Sequence, residues 1–263
     1  MDEMIDDNAV TAAVILIGDE VLSGRTADKN LQQIARFLAP QGISVVESRT
    51  IPDVHETIVD TVNALRAKVT YVFTTGGIGP THDDITADAI AAAFGVSIDV
   101  RADALEVIED WYAKTGTPLN ESRKRMARIP DGADLIVNPV TGAPGIHIGN
   151  VFVMAGVPSI TRGLLEDVAH RLEGGAVTKS RSVKGDNLRE GDVAVALGEM
   201  QERFPHVSLG SYPYFLDLKD GEIRRGTHLV ARSTDAVALD NVIEEIAGLV
   251  EALGYTAQID PVE

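Results

Sequence analysis

Thr74-Thr75-Gly76-Gly77-Ile78-Gly79-Pro80-Thr81-His82-Asp83-Asp84-Ile85-Thr86 is the stretch on which the reading of this chain turns. An apolar run with Val69, Tyr71, Val72 and Phe73 precedes it and reads as a buried strand. An alanine-rich run from Ile85 to Phe94 follows and reads as a helix. Three glycines at such a strand-to-helix passage let the backbone present N–H groups. The helix that follows aims its positive end at the same place, and the two together make a seat for a phosphate or another anion. The adjacent carboxylates Asp83 and Asp84 are out of place in an anion seat unless a cation, a proton or a reaction accounts for them.

The run is not a P-loop, since no lysine follows the last glycine. It is not the dinucleotide fingerprint either, because Pro80-Thr81-His82 stands where a third glycine is needed. A plainer reading is a tight turn in which Thr81 and Asp84 form a capping box, a device that stabilises a helix by about 1 kcal/mol. That reading leaves Asp83 without a task.

Toward the N-terminus, Ala13-Val14-Ile15-Leu16-Ile17-Gly18 reads as a first buried strand. Leu31, Ile34, Ala35 and Leu38 mark a helix face that stops near Pro40 and Gly42. Ile43-Ser44-Val45-Val46 begins a second strand, and Val54, Ile58, Val62 and Leu65 mark a second helix. Strand and helix alternating with short joins specify an α/β fold, a mostly parallel sheet with helices on both faces in three αβα layers. Ligands of such sheets sit beyond the carboxyl ends of the strands, where Gly18-Asp19-Glu20 and Thr74 to Asp84 both lie.

Toward the C-terminus, Ala102 to Ala127 is helical in pattern with a break around Gly116-Thr117-Pro118. Leu135-Ile136-Val137 and Val151-Phe152-Val153-Met154 read as strands flanking the turn-rich segment 138–145, and a helix with Ile160, Leu164, Val168 and Leu172 closes the domain. Gly174-Gly175 reads as a linker. Beyond it come a strand (Arg181-Ser182-Val183), a helix (Val193, Leu197, Met200, Phe204), a strand (Val207-Ser208-Leu209), a hairpin turning at Asp220-Gly221 and a last helix (Val242, Ile246, Leu249, Leu253). The layout is an acidic flexible tail over 1–10, an α/β domain over 11–173 and a small α+β domain over 176–263.

Composition bounds the function. A formal charge of −17 is wrong for broad contact with nucleic acid or anionic membrane, which needs lysine and arginine. A small anion held by backbone amides or through a metal remains open. The absence of cysteine removes disulfides, thiolate metal sites and cysteine nucleophiles. No apolar run approaches the roughly 20 residues of a membrane span. The start, Met1-Asp2-Glu3-Met4, lacks the basic character of a signal peptide, so a cytoplasmic location is expected.

Asp83 and Asp84 with Glu20 are candidates for a hard-cation site, because magnesium takes one or two carboxylates together with substrate phosphate oxygens. Read more plainly, Glu20 and Asp83 are solvated loop acids. Asp53 follows Ile51-Pro52 directly before a helix, as an N-cap or as an acid of the site. The run Arg123-Lys124-Arg125-Met126-Ala127-Arg128 is a solvated helix face, or supplies one cation to a substrate phosphate. His82 reads as a polar loop group, the six histidines have no metal-ligand spacing, and no Gly-x-Ser-x-Gly elbow occurs.

Four segments together resemble the molybdopterin-binding domain superfamily. They are Gly18-Asp19-Glu20-Val21-Leu22-Ser23-Gly24, Asp28-x-Asn30, Ile51-Pro52-Asp53 and Thr75-Gly76-Gly77-Ile78-Gly79-Pro80-Thr81-x-Asp83-Asp84-x-Thr86. The segment Asn120 to Gly145, the Gly156-Val157-Pro158 turn and Gly210-Ser211-Tyr212-Pro213 extend the likeness to the N-terminal part of competence/damage-inducible CinA proteins. The small domain then corresponds to that family's KH-like domain. Two departures stand out. Thr141-Gly142-Ala143-Pro144-Gly145 replaces Gly-Thr-Ala-Pro-Gly, and Met154-Ala155-Gly156 replaces Leu-Pro-Gly.

The resemblance implies ligand contacts from Gly18, Asp28, Asn30, Thr75, Gly76, Gly77, Gly79, Thr81 and Thr86. It implies catalytic roles for Asp84, Asp53 and Glu20 and a metal at Asp83 and Asp84. In molybdenum-cofactor enzymes of the superfamily, acids matching Asp53 and Asp84 serve molybdopterin binding and adenylyl transfer. CinA-like proteins are linked to metal-dependent cleavage of ADP-ribose, and the related domain of eukaryotic FAD synthases to FAD hydrolysis.

The expectation is therefore a nucleotide pyrophosphatase using magnesium, manganese or cobalt. The alternatives are molybdopterin binding or adenylylation, and a non-catalytic binding module. A homodimer is implied by family analogy. RNA is not expected as a partner, since the small domain lacks Gly-x-x-Gly. No counterpart of the CinA deamidase domain lies within these 263 residues, so nicotinamide mononucleotide deamidation is not expected of them.

Overall fold

The first strand decides the layering. In a computed structural model of the chain, which describes residues 9–217 and 223–260, strand β1 (Val10–Ile17) is buried at every position but the first. Successive side chains of a strand point to opposite faces, so a strand that is apolar throughout needs cover on both. Ala13, Ile15 and Ile17 enter one core, with Ile58 and Val62 of one helix and Ala89 and Ile90 of another. Ala12, Val14 and Leu16 enter a second core with Ile34, Leu38, Leu164 and Leu165. Helices therefore pack on both faces of the sheet, as the α/β, three-layer expectation requires.

The elements of this first unit continue with α1 (Asp19–Leu22), α2 (Asn30–Leu38), β2 (Ile43–Ile51), α3 (His55–Arg66), β3 (Tyr71–Thr75), α4 (Thr86–Phe94), β4 (Ile98–Val100) and α5 (Ala102–Thr115). After them come α6 (Glu121–Lys124), β5 (Arg128–Pro130), β6 (Asp134–Ile136), β7 (Gly145–Ile148), β8 (Val151–Met154) and α7 (Pro158–Val168). The main sheet has the order β2-β1-β3-β8-β7-β6. Strands β2, β1, β3 and β8 pair in parallel, while β7 runs against both of its neighbours.

Sequence reading ended a turn-rich segment at Gly145, the first residue of β7, without reading that strand, and missed the short antiparallel pair β4–β5. Three- and four-residue strands without a continuous apolar run, such as these, carry too little periodicity to be distinguished from loops. Val10, inside the stretch 1–10 read as a tail, pairs with Ile43 as the first residue of β1; residues 1–8 lie outside the described part.

Contacts divide the chain into Met1–Ala176 and Val177–Glu263. The glycines read as a linker belong to the first unit. Gly175 donates its N–H to the Gln41 carbonyl at 3.1 Å, and a Cβ on Gly174 would stand 2.1 Å from that same oxygen. Only glycine permits so close a backbone approach.

The second unit contains β9 (Lys179–Asp186), α8 (Glu190–Arg203), β10 (Ser208–Asp217), β11 (Ile223–Ser233), α9 (Ala236–Ala252) and β12 (Ala257–Ile259). Its antiparallel sheet has the order β10-β11-β9-β12, and both helices share one apolar core with it through Val193, Met200, Val242 and Ile246. Asp235 caps α9 by accepting the N–H groups of Val237 and Ala238. The expected hairpin is formed by β10 and β11; its turn at Asp220-Gly221 lies outside the described residues.

Candidate functional site

The glycine loop leaves the carboxyl end of β3 and is fixed from three sides. Gly76 donates its N–H to the Met154 carbonyl at 3.1 Å, carrying the β3–β8 pairing one step further. With φ at 104°, Gly76 lies in the left-handed half of backbone space, and a Cβ there would meet the Ile17 carbonyl oxygen at 2.1 Å. The buried Thr86, first residue of α4, donates its N–H to the Gly77 carbonyl at 2.9 Å. It also donates its hydroxyl to the Gly76 carbonyl at 3.0 Å. The carbonyls of the loop are thus held by α4, and Thr86 acts as a clamp on the loop.

The amides divide differently from the sequence-based expectation. Gly76, read as one of three anion-binding amides, has its N–H committed to Met154. Those of Gly77, Ile78 and Gly79 have no intramolecular acceptor among the described residues. Three successive N–H groups without an acceptor, one residue further along the loop than expected, thus lie beside the N-terminus of α4.

Only half of the expected capping box forms, and it lies ahead of α4 rather than at its first turn. In a capping box the threonine side chain accepts from the backbone of the acid. Here the Asp84 carboxylate accepts from the backbone N–H of Thr81 at 2.8 Å and from its hydroxyl at 2.5 Å. Helix α4 begins two residues later with no side-chain cap. Asp84 instead closes the turn: a Cβ on Gly79 would lie 2.6 Å from its Oδ2. Hydrogen bonding from Thr81 first, and from its own backbone second, holds the exposed Asp83 carboxyl below the usual range.

Asp53 is not the N-cap of α3; Val54 holds that position, without a side-chain bond. The Asp53 carboxylate turns to α1 and accepts the Asp19 N–H at 3.0 Å. Burial is the chief reason its pKa is raised. The hydrogen bond from Asp19 opposes the rise, while the negative charges of Glu20, Asp19 and Asp83 add to it. Asp53, Glu20, Asp19 and Asp83 thus share one neighbourhood. Among the described residues, however, no group of three or more His, Asp or Glu side chains is arranged to hold a metal ion by itself.

Two crevices flank the loop. One, of about 360 Å³, lies at the ends of β1 and β3 and is lined by Glu20, Asp28, Asn30 and Thr75 against apolar walls that include Leu16 and Pro158. Asp28, read as a ligand contact, caps α2: its two oxygens accept the N–H groups of Asn30 and Leu31 at 3.0 and 3.1 Å. Asn30, 4% exposed, donates to the Gly156 carbonyl at 2.7 Å and so ties α2 to the Gly156 turn. The other crevice brings Gly77, Ile78, Gly79 and Asp84 together with Arg125 and Arg128. Gly18, Gly76, Asp53, Asp83 and Thr86 line neither.

Arg125 and the pair Asp88–Arg128 were not singled out by sequence reading. Arg128 grips Asp88 of α4 with two bonds of 2.6 and 2.7 Å. The only signal available was the basic run itself, which does not tell its members apart. Asn138 was also missed. Its buried side chain accepts the N–H groups of Val140 and Thr141 and donates to the Thr141 hydroxyl and the Ala143 carbonyl, organising the whole turn. The departure at Thr141-Gly142 has a local reason in this turn. Gly142 is left-handed, at φ 74°, and a Cβ there would meet Trp111 at 2.4 Å. At the second departure, Met154 is fully buried in the core.

Comparison with known proteins identifies the family. Residues 13–174 match the family model described as "Probable molybdopterin binding domain", and residues 186–256 match the "FAD synthase, middle domain". A protein of Aeropyrum pernix is 33% identical over 258 residues, covering 90% of this chain and 95% of its own. A CinA-like protein of Gemmatimonas aurantiaca is 34% identical over 85% of this chain, which spans 54% of that longer relative. The crystal structure of CinA from Thermoplasma acidophilum, a protein of unknown function, superposes with a TM-score of 0.57 at 33% identity, over 62% of this chain and 98% of that one. With a family model matched over more than half its length and a CinA structure covered almost entirely, the chain belongs to the molybdopterin-binding domain family as a CinA-like member.

Proposed function

We propose that the chain binds a nucleotide or pterin diphosphate at the glycine loop and hydrolyses its phosphoanhydride with the help of a divalent cation. The observation that carries the reading is the set of three successive unpartnered amides, Gly77 to Gly79, at the mouth of α4, adjoining a neighbourhood of four acids. Amides and a helix end attract phosphate, while clustered acids attract a cation. A ligand that brings phosphate and metal together satisfies both. The acids fit a cation that takes its remaining ligands from the bound phosphates, as magnesium does. Asp83 and Asp84 would hold it. When bound, it would supply Lewis-acid polarisation of a phosphoryl oxygen.

The chain's own contributions follow from position. Gly77, Ile78 and Gly79 would donate to the diphosphate oxygens, where charge grows during cleavage. Asp53, with its raised proton affinity, is suited to take a proton from the attacking water, with Glu20 beside it to orient that water. Water adds to one phosphorus, the bridging P–O bond breaks, and two phosphomonoesters leave. The match of residues 186–256 to the middle domain of an FAD synthase favours a dinucleotide such as FAD or ADP-ribose as the ligand class.

Molybdopterin binding or adenylylation is the second reading, favoured by the match over residues 13–174. A homodimer, read by light scattering, belongs to the proposal as well. To test cleavage, the pure protein is incubated with ADP-ribose or FAD and magnesium, manganese or cobalt, and AMP is quantified. We expect AMP release that Asp84→Asn lowers about 100-fold. If no metal gives release above that of Asp84→Asn, hydrolysis is wrong, and copurified pterin fluorescence decides for the second reading.

A further inference from the structure

The basic run of the middle segment has six residues, four of them cationic, in a chain of net charge −17. Three of these cations have partners. Arg123 donates to the Pro118 carbonyl and lies over the Tyr112 ring, 5.0 Å from its centroid. Lys124 pairs with Glu121 at 2.8 Å. Arg128 is gripped by Asp88 through two bonds. The side chain of Arg125 alone has no hydrogen-bond acceptor, ion-pair partner or aromatic face among the described residues.

Its position gives that vacancy meaning. Arg125 lines the crevice of Gly77, Gly79 and Asp84, and also the open groove that continues past Pro80, Thr81 and His82. Both crevice and groove thus meet at this guanidinium. The crevice also contains the carboxylates of Asp84 and Asp88. Asp88 is neutralised by Arg128, while Asp84 is bonded only to Thr81. An anion entering there needs a further positive charge to offset Asp84, and Arg125 is the one not already paired. A guanidinium binds phosphate through parallel N–H groups and keeps its charge at any working pH.

We propose that Arg125 is the specificity residue for a second phosphate: Gly77 to Gly79 hold one phosphoryl group through their amides, and Arg125 holds the other. The site then selects diphosphates over monophosphates. This rests on the reading of the loop as a phosphate seat and adds to it the residue that counts phosphates. Arg125 is exposed and sits in a short 3-10 turn, so its replacement leaves the core intact.

The test measures binding of ADP, AMP and inorganic pyrophosphate by calorimetry, at fixed magnesium and ionic strength, to the wild-type chain and to Arg125→Gln and Arg125→Lys. The wild type is expected to prefer ADP to AMP about tenfold or more, the worth of one charge-assisted contact. Arg125→Gln should bring ADP down to the affinity of AMP while AMP binding and the melting temperature stay as they were. Arg125→Lys should restore part of the preference. An ADP-to-AMP ratio unchanged in Arg125→Gln overturns the role of Arg125 and leaves the phosphate seat standing. If none of the three probes binds the wild type, the phosphate seat fails and this inference with it.

Discussion

At the scale of single residues, the site is defined by which polar groups are already committed. Gly76 and Gly77 look alike in sequence, yet one N–H is spent on Met154 and the other has no acceptor among the described residues. That distinction depends on β8, which lies more than 70 residues further along the chain, so no local pattern could have revealed it. Asp53 is a similar case. Local sequence suits it to a helix cap, but its carboxylate is drawn instead to the Asp19 N–H.

Burial and neighbouring acids raise its pKa in the folded state. In the unfolded chain it titrates near the ordinary value of about 3.9. The folded state therefore holds this proton more tightly. The stability that goes with it is present below the ordinary pKa and is lost as pH rises through the raised one. Asp53→Asn keeps an acceptor for Asp19 and removes the charge. Thermal denaturation should show the variant melting above the wild type at pH 7, with the difference closing below about pH 3. A lower melting temperature at pH 7 would mean that the charge is compensated in the fold.

Among elements, those with a continuous apolar run or face were legible, whatever their length, and the remaining short ones were not. Helices α2, α3, α4 and α7 and strands β1, β2, β3 and β8 follow from apolar spacing, because each buries a continuous face. Strands β4, β5 and β7 have three or four residues and are specified by their partners. Some motif residues also brace the local structure. Asp28 stands two residues before the helix face it stabilises, and both its oxygens serve the first amides of α2. Asp28→Ala should cost about 1 kcal/mol in denaturant unfolding, the usual price of a lost cap. With ADP as the probe, its effect on affinity should be smaller than that of Arg125→Gln. An Asp28→Ala protein of unchanged stability that no longer binds ADP would make Asp28 a ligand contact.

At the scale of the whole molecule, each of the two units has an apolar core of its own, and the proposed chemistry belongs entirely to the first. In the proposed reading, an acidic chain binds an anionic ligand because the amides of one loop and one arginine present positive potential locally, whatever the net charge. The amide spectrum of the 15N-labelled full chain reads that claim residue by residue during a titration with ADP and magnesium. The account predicts that the resonances of Gly77, Ile78 and Gly79 move with the bound fraction, while that of Gly76, already bonded to Met154, moves least of the four. Saturable binding that leaves Gly77 to Gly79 unmoved, or that moves Gly76 most, would contradict it.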